Sequence, residues 1–242
     1  MSVTSVPQTS SSPVSAVPRP GHALVIGAAG FAWCSLALGL STVGVMNAAG
    51  SSVILSGTFF YGGIVQLVAG FFALAAGATF AAAFLTAYGA FWLGYTAIEV
   101  WVAPHIVATV LGSGAKAGAS ALALQAQAGH DVVQALGVFL IAWLVVTLIF
   151  TVASLGTNAV TVLAFGLLSV TIVLLVTAYL GASSVGAPAG GALHAAGWTE
   201  IVLAAVAFYI VLAELANETL GRLVFPLFPL HRTRPRAAAP NA

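Results

Sequence analysis

The sequence predicts an all-α, polytopic membrane protein with six transmembrane helices and both termini on the cytoplasmic side. Three observations carry that prediction. Of 242 residues, 61% are hydrophobic and only 5% are charged, where a soluble domain carries roughly a quarter charged. The mean hydropathy is +1.11. Six stretches are long and apolar enough to cross a hydrocarbon layer of about 30 Å, which takes roughly twenty helical residues. A chain with so few charges cannot hydrate its own surface, so a soluble fold is excluded.

Residues 1–21 read as a disordered N-terminal tail. They are rich in Ser, Pro and Val with one charge at Arg19, and lack the basic start and short apolar core of a signal peptide. The membrane domain takes residues 22–230, with spans expected at 23–45, 53–76, 79–101, 132–155, 159–181 and 198–215. Residues 47–52 form a Gly/Ser/Asn turn, Gly77 a tight connection, and 156–158 a Gly-Thr-Asn turn. The longest connection, 102–131, contains Pro104, His105 and Lys116. Asp131 stands where span four needs an N-cap. Glu200 falls in the first turn of span six, where the helix dipole favours an anion. Residues 231–242 read as a disordered basic C-terminal tail.

Charge placement sets the orientation and removes whole classes of function. The six Lys and Arg residues are Arg19, Lys116, Arg222, Arg232, Arg234 and Arg236; five flank the two ends of the hydrophobic region. Cytoplasmic flanks are enriched in these residues, which puts both termini inside and requires an even number of spans. No basic stripe with interleaved aromatics exists, so nucleic acid is not a partner. The single cysteine, Cys34, has no intrachain partner and sits in an apolar run, where it acts as a small hydrophobe. Lys116 is the only lysine and falls in a connection, so no span offers a Schiff-base amine. The histidines (His22, His105, His130, His194 and His231) stand at span ends or in connections, leaving no axial haem ligands within the bundle. No nucleophile elbow, metalloprotease helix or P-loop occurs. The chain therefore reads as neither an enzyme nor a carrier of a cofactor or metal. Spans so poor in charge suit a small, weakly hydrated anion or its neutral acid.

Two groups of residues remain. Gly63, Gly70 and Gly77 repeat every two helical turns beside Ala69, Ala73 and Ala76. Small residues on one stripe let a second helix approach closely, and a pore-lining stripe is the competing reading. At the cytoplasmic end of span six stand Glu214, Asn217, Glu218 and Arg222, with Glu218 and Arg222 spaced to pair on one face. A paired anchor and a substrate or proton gate are both open for this polar cluster.

The segment Phe60-Tyr61-Gly62-Gly63-Ile64-Val65-Gln66 resembles the Phe-Tyr-Gly-Gly-x-x-Gln block of the acetate uptake transporter family, the bacterial acetate/succinate permease type. Ala83–Leu93 looks like that family's block around Tyr-Gly-x-Phe-Trp. Ala196-Gly197-Trp198 and Glu214-Leu215-Ala216-Asn217-Glu218 resemble its blocks bounding span six. The resemblance covers roughly residues 22 to 230. It implies six spans per subunit, a homo-hexamer in the plasma membrane among lipid, and one channel-like pathway through each subunit. It also implies acetate and related short monocarboxylates as substrates, moved passively or with a proton. The family's hydrophobic constriction maps to Phe31, Tyr88 and an apolar residue of span five at 168–170, Val170 among them. Tyr61 and Gln66 accompany it, Gln66 either as a donor to the anion or as an interhelical hydrogen-bond partner. The chain departs from the family at the start of span one, where His22–Ala28 replaces Asn-Pro-Ala-Pro-Leu-Gly-Leu. It also lacks the lysine and asparagine of the turn between spans two and three. With those changes in view, a channel for ammonia, carbon dioxide or a neutral weak acid, and a non-transporting membrane scaffold, are the alternatives.

Overall fold

The computed structural model describes residues 21–116, 118–183 and 186–230. Apart from Gly21, both expected tails lie outside the described residues. Nearly everything described is helical: α1 (Gly21–Thr42), short α2 (Ala48–Ser51) and α3 (Ile54–Gly57), α4 (Gln66–Ala75), α5 (Thr79–Ala97), α6 (Ala103–Lys116), α7 (Ala121–Ser154), α8 (Ala159–Leu180) and α9 (Gly190–Thr219). π-helical turns at Thr58–Val65 and Ile98–Val102 join α3 to α4 and α5 to α6. Six helical segments are long and apolar enough to cross a membrane: Ala23–Thr42, Ala49–Ala75, Thr79–Ala115, Ala121–Ser154, Ala159–Leu180 and Gly190–Thr219.

Several boundaries move from those the sequence suggests. The connection at 102–131 is mostly helix. Pro104, which has no N–H to donate, follows a π-helical turn, and the chain continues as α6 before reversing into α7. Residues 121–131 are Ala, Leu and Gln in the main, good helix formers, so α7 starts a full ten residues before Asp131. Ser120, not Asp131, caps it, its Oγ accepting from the Ala123 N–H at 3.3 Å. The turn at 47–52 is itself helical, with the Asn47 side chain accepting from the Gly50 N–H at 2.7 Å. Helix α9 begins at Gly190, directly after Pro188 and Ala189, because nothing between Gly190 and Gly197 interrupts a helix. Glu200 therefore lies well inside α9, beyond the first turn where the dipole acts.

Lipid is as apolar as the spans, so close packing and hydrogen bonds hold them together. Helix α1 packs between α4 and α9, α9 against α8, α8 against α7, and α7 against α6; α4 and α5 form a hairpin. The glycines of span two divide into two kinds. A Cβ on Gly63 would stand 2.6 Å from Leu93 Cδ2, and one on Gly70 would stand 2.6 Å from Thr86 Cγ2 and 2.8 Å from the Thr86 backbone nitrogen. On α5, Gly89 meets the Leu67 backbone as closely, at 2.8 Å. Those contacts carry the packing reading for Gly63 and Gly70. Gly77 has φ of 75° and open space around it; it is the left-handed residue of the tight turn, a conformation that glycine adopts freely.

Gly70→Val drives a branched side chain into the Thr86 backbone and is expected to cost about 1–3 kcal/mol. Thermal unfolding in mild detergent measures it. Gly112→Ala, with no atom within 4 Å of the new methyl, is the control and is expected to be neutral or stabilising.

Candidate functional site

Four helices present one face each to a common cavity of about 110 Å³. Helix α1 supplies Leu24, Ala28 and Phe31; α5 supplies Phe80 and Phe84; α8 supplies Thr161, Ala164, Phe165 and Leu168; α9 supplies Leu203, Ala207 and Ile210. Each set is spaced three or four residues apart, which is how a helix keeps one face on one neighbour. A single water needs roughly 10–15 Å³ of such space, so the cavity admits a solute of several heavy atoms. Its walls are almost wholly apolar. The polar residues are Thr157, Asn158 and Thr161, at the start of α8, where the positive end of a helix dipole favours an anion. Asn158 caps that helix by accepting from the Thr161 N–H at 2.9 Å.

The inner end of the cavity closes on aromatic rings. Phe31 is 4% exposed and meets Phe84 at 5.7 Å, Tyr88 at 5.4 Å and Trp92 at 6.2 Å between ring centroids. Tyr88 also touches Phe84, Phe91, Trp143, Phe150 and Phe165. The structure thus brings Phe31 and Tyr88 together as the sequence suggested. The Tyr88 hydroxyl pairs with Thr147 Oγ1 of α7 at 2.7 Å. Thr147 already donates to the Trp143 carbonyl at 2.7 Å, so the phenol is the donor to Thr147. The hydroxyl proton fixes the ring and is not free for a carboxylate. From span five the cavity takes Leu168. Val170, two residues on, is 49% exposed and sits on the outside of the chain, because two residues turn a helix by about half a circle.

Several buried side-chain polar atoms have no protein partner. Gln66 is fully buried and both its amide atoms are unpaired, as are Ser35 Oγ, Trp92 Nε1 and Glu200 Oε2. Gln66 lies one turn from Gly62, where a Cβ would strike Cys34 and Trp92. Unpaired buried polar groups are uncommon and costly. Tyr61 is half-buried; its carbonyl carries the close approach of Gly30, where a Cβ would stand 2.6 Å away.

The cluster at the end of span six stands apart from the cavity lining. Asn217 is a clamp: its Nδ2 donates to the Phe225 carbonyl at 2.8 Å, and its Oδ1 accepts from the Val224 and Phe225 N–H groups at 2.7 and 2.9 Å. Tyr209 adds a hydrogen bond to the Pro226 carbonyl at 2.9 Å. These bonds lead the following segment across the start of α8, where Ala159 donates to Phe228 and Leu230 to Thr157. Glu214 is half-buried, and Glu218 and Arg222 are exposed.

A match to the GPR1/FUN34/yaaH family model covers residues 7–232. The chain belongs to that family. It is 31% identical over 208 residues to the succinate-acetate/proton symporter SatP of Escherichia coli strain K12, covering 85% of this chain and 94% of that protein. It is 28% identical over 204 residues to acetate permease A of Emericella nidulans, covering 84% of this chain and 64% of the fungal one. A solved structure of the bacterial acetate channel SatP superposes with a TM-score of 0.65 and 31% identity, over 85% of this chain and 97% of that one. The chain is a multi-pass integral membrane protein.

Some site residues escaped the reading of the sequence. Phe80, Phe84, Tyr88 and Trp92 recur every fourth residue, and that stripe was a usable signal. Thr147 and Ser35, ordinary hydroxyls in apolar spans, gave none.

Asn217→Ala removes three hydrogen bonds, each worth about 1 kcal/mol. Limited tryptic cleavage after Arg222 in detergent is expected to accelerate several-fold, with helix content unchanged by circular dichroism.

Proposed function

We propose that this chain conducts acetate and related short monocarboxylates across the plasma membrane, along one channel-like path through each subunit. The observation that carries the reading is an apolar cavity lined by Phe31, Phe84 and Leu168, with Phe31 packed against Tyr88 and against Trp92, whose indole N–H has no partner. The substrate fits that arrangement. Its methyl group tolerates apolar walls, and its two oxygens accept from donors that lack partners in the protein. A strongly hydrated ion would lose too much in such a passage. The names of the bacterial relative and of the acetate channel with the same architecture support the same cargo. The apolar outer face, with Phe71, Phe72, Trp101 and Val170 exposed, has room for lipid and for neighbouring copies, and we take the assembly to be a homo-hexamer.

Uptake of labelled acetate into proteoliposomes tests the proposal. The expected result is saturable uptake inhibited by propionate and indifferent to chloride. No uptake above empty liposomes by folded protein would refute it. Tyr88→Ala opens the constriction and is expected to change the rate several-fold at equal amounts of folded protein; an unchanged rate would remove Tyr88 from the path.

A further inference from the structure

Beyond the constriction the same four helix faces continue, and their character changes from apolar to polar. On α1 the residue one turn past Phe31 is Ser35, about 6 Å further along the axis. On α5, Trp92 and Tyr95 follow Tyr88; on α8, Tyr179 follows Leu168 and Leu175. Helix α9 runs the opposite way, so the residue beyond Leu203 on the cavity face is Glu200. Glu200 is near enough to Cys34 on α1, Tyr95 on α5 and Tyr179 on α8 for its charge to act on them. It is 4% exposed, with Oε2 unpartnered. The two tyrosines also stand within reach of Glu99. Glu99 borders an open groove between α6 and α7.

A carboxyl is the wrong group for a passage of anions if it is charged. Two carboxylates at contact distance repel, and one of them takes up a proton. The titratable groups near Glu200 on the packed helices are Cys34, Tyr95 and Tyr179. Bare charge without a counter-ion is costly in such a place. As a neutral acid the same group becomes an O–H donor, and the short hydrogen bond from an acid to a carboxylate is among the stronger ones.

We propose that Glu200 forms a second station on the path, where it binds the passing monocarboxylate as a carboxylic acid, one proton being held between the two carboxyl groups. The proton reaches Glu200 from the groove at Glu99, past Tyr95 and Tyr179. On release it returns to Glu200 and the substrate departs as the anion it entered as, so charge and protons balance. The proposal rests on the monocarboxylate pathway above and adds the residue that makes passage depend on acid.

The test is acetate uptake into proteoliposomes from acid to mildly alkaline buffer, comparing wild type with Glu200→Gln. The amide keeps the shape and a donor but carries no proton to lose. Wild-type uptake is expected to fall several-fold as the buffer becomes alkaline, and the variant is expected to keep its acid-side rate throughout. A variant with the wild-type profile, or one inactive at every pH although folded, overturns the role of Glu200 while leaving the pathway intact. Absent wild-type uptake overturns both proposals. Should the variant not fold, wild-type protein decides. A hydrophobic carbodiimide, which reacts with protonated carboxyl groups, should label Glu200, and acetate should protect it. Labelling confined to Glu214 or Glu218, or labelling of Glu200 that acetate leaves unchanged, contradicts the proposal.

Discussion

Six spans with almost no charge must associate in a solvent as apolar as their own side chains, so burial of apolar surface cannot hold them together. The structure meets this constraint with backbone contact and one aromatic layer. Gly63, Gly70 and Gly89 seat α4 against α5. The layer centred on Tyr88 then joins what the backbones do not: its ring touches aromatics from α1, α5, α7 and α8, and its hydroxyl bonds Thr147 of α7. A residue with that many partners has a defined position. The layer that locks the bundle also contributes Phe31, Phe84 and Phe165 to the cavity wall.

That double duty explains the polarity of the interior. The cavity walls are almost wholly apolar, and the buried polar atoms of Gln66, Ser35, Trp92 and Glu200 have no protein partner. In a protein chosen for stability alone, such groups would be paired or replaced by apolar ones. Here they give a small acceptor solute something to exchange for its water. On the path proposed above, the anion would meet the positive end of α8 and then an apolar chamber whose lining carries no charged residue.

The spans were legible because twenty apolar residues between turn signals have few other fates. Their ends were less so. Residues 121–131 read as a loop because Gln, His and Asp interrupt the apolar run, yet they are helix formers and need only project beyond the hydrocarbon. The small residues 190–197 concealed the first turns of α9 and made Glu200 look like a dipole partner near a helix end. Tyr88 and Phe31 came from the family resemblance, and the structure places their rings in contact at 5.4 Å. Val170 was an error of register, since a two-residue slip on a helix exchanges inside for outside and only Leu168 faces the cavity. Asn217 reads in the sequence as a member of a charged cluster, whereas its amide is consumed by three backbone groups of the following segment.

The account stands on where the path runs: between the facing stripes of α1, α5, α8 and α9. Single cysteines at Leu168 and Val170, in protein lacking Cys34, test this directly with a small water-soluble thiol reagent during acetate uptake. The path described here predicts that reagent at position 168 blocks uptake, that excess acetate slows the block, and that modification at position 170 leaves the rate unchanged. Block from position 170 with none from position 168 would place the path on the outer side of α8 and contradict the account.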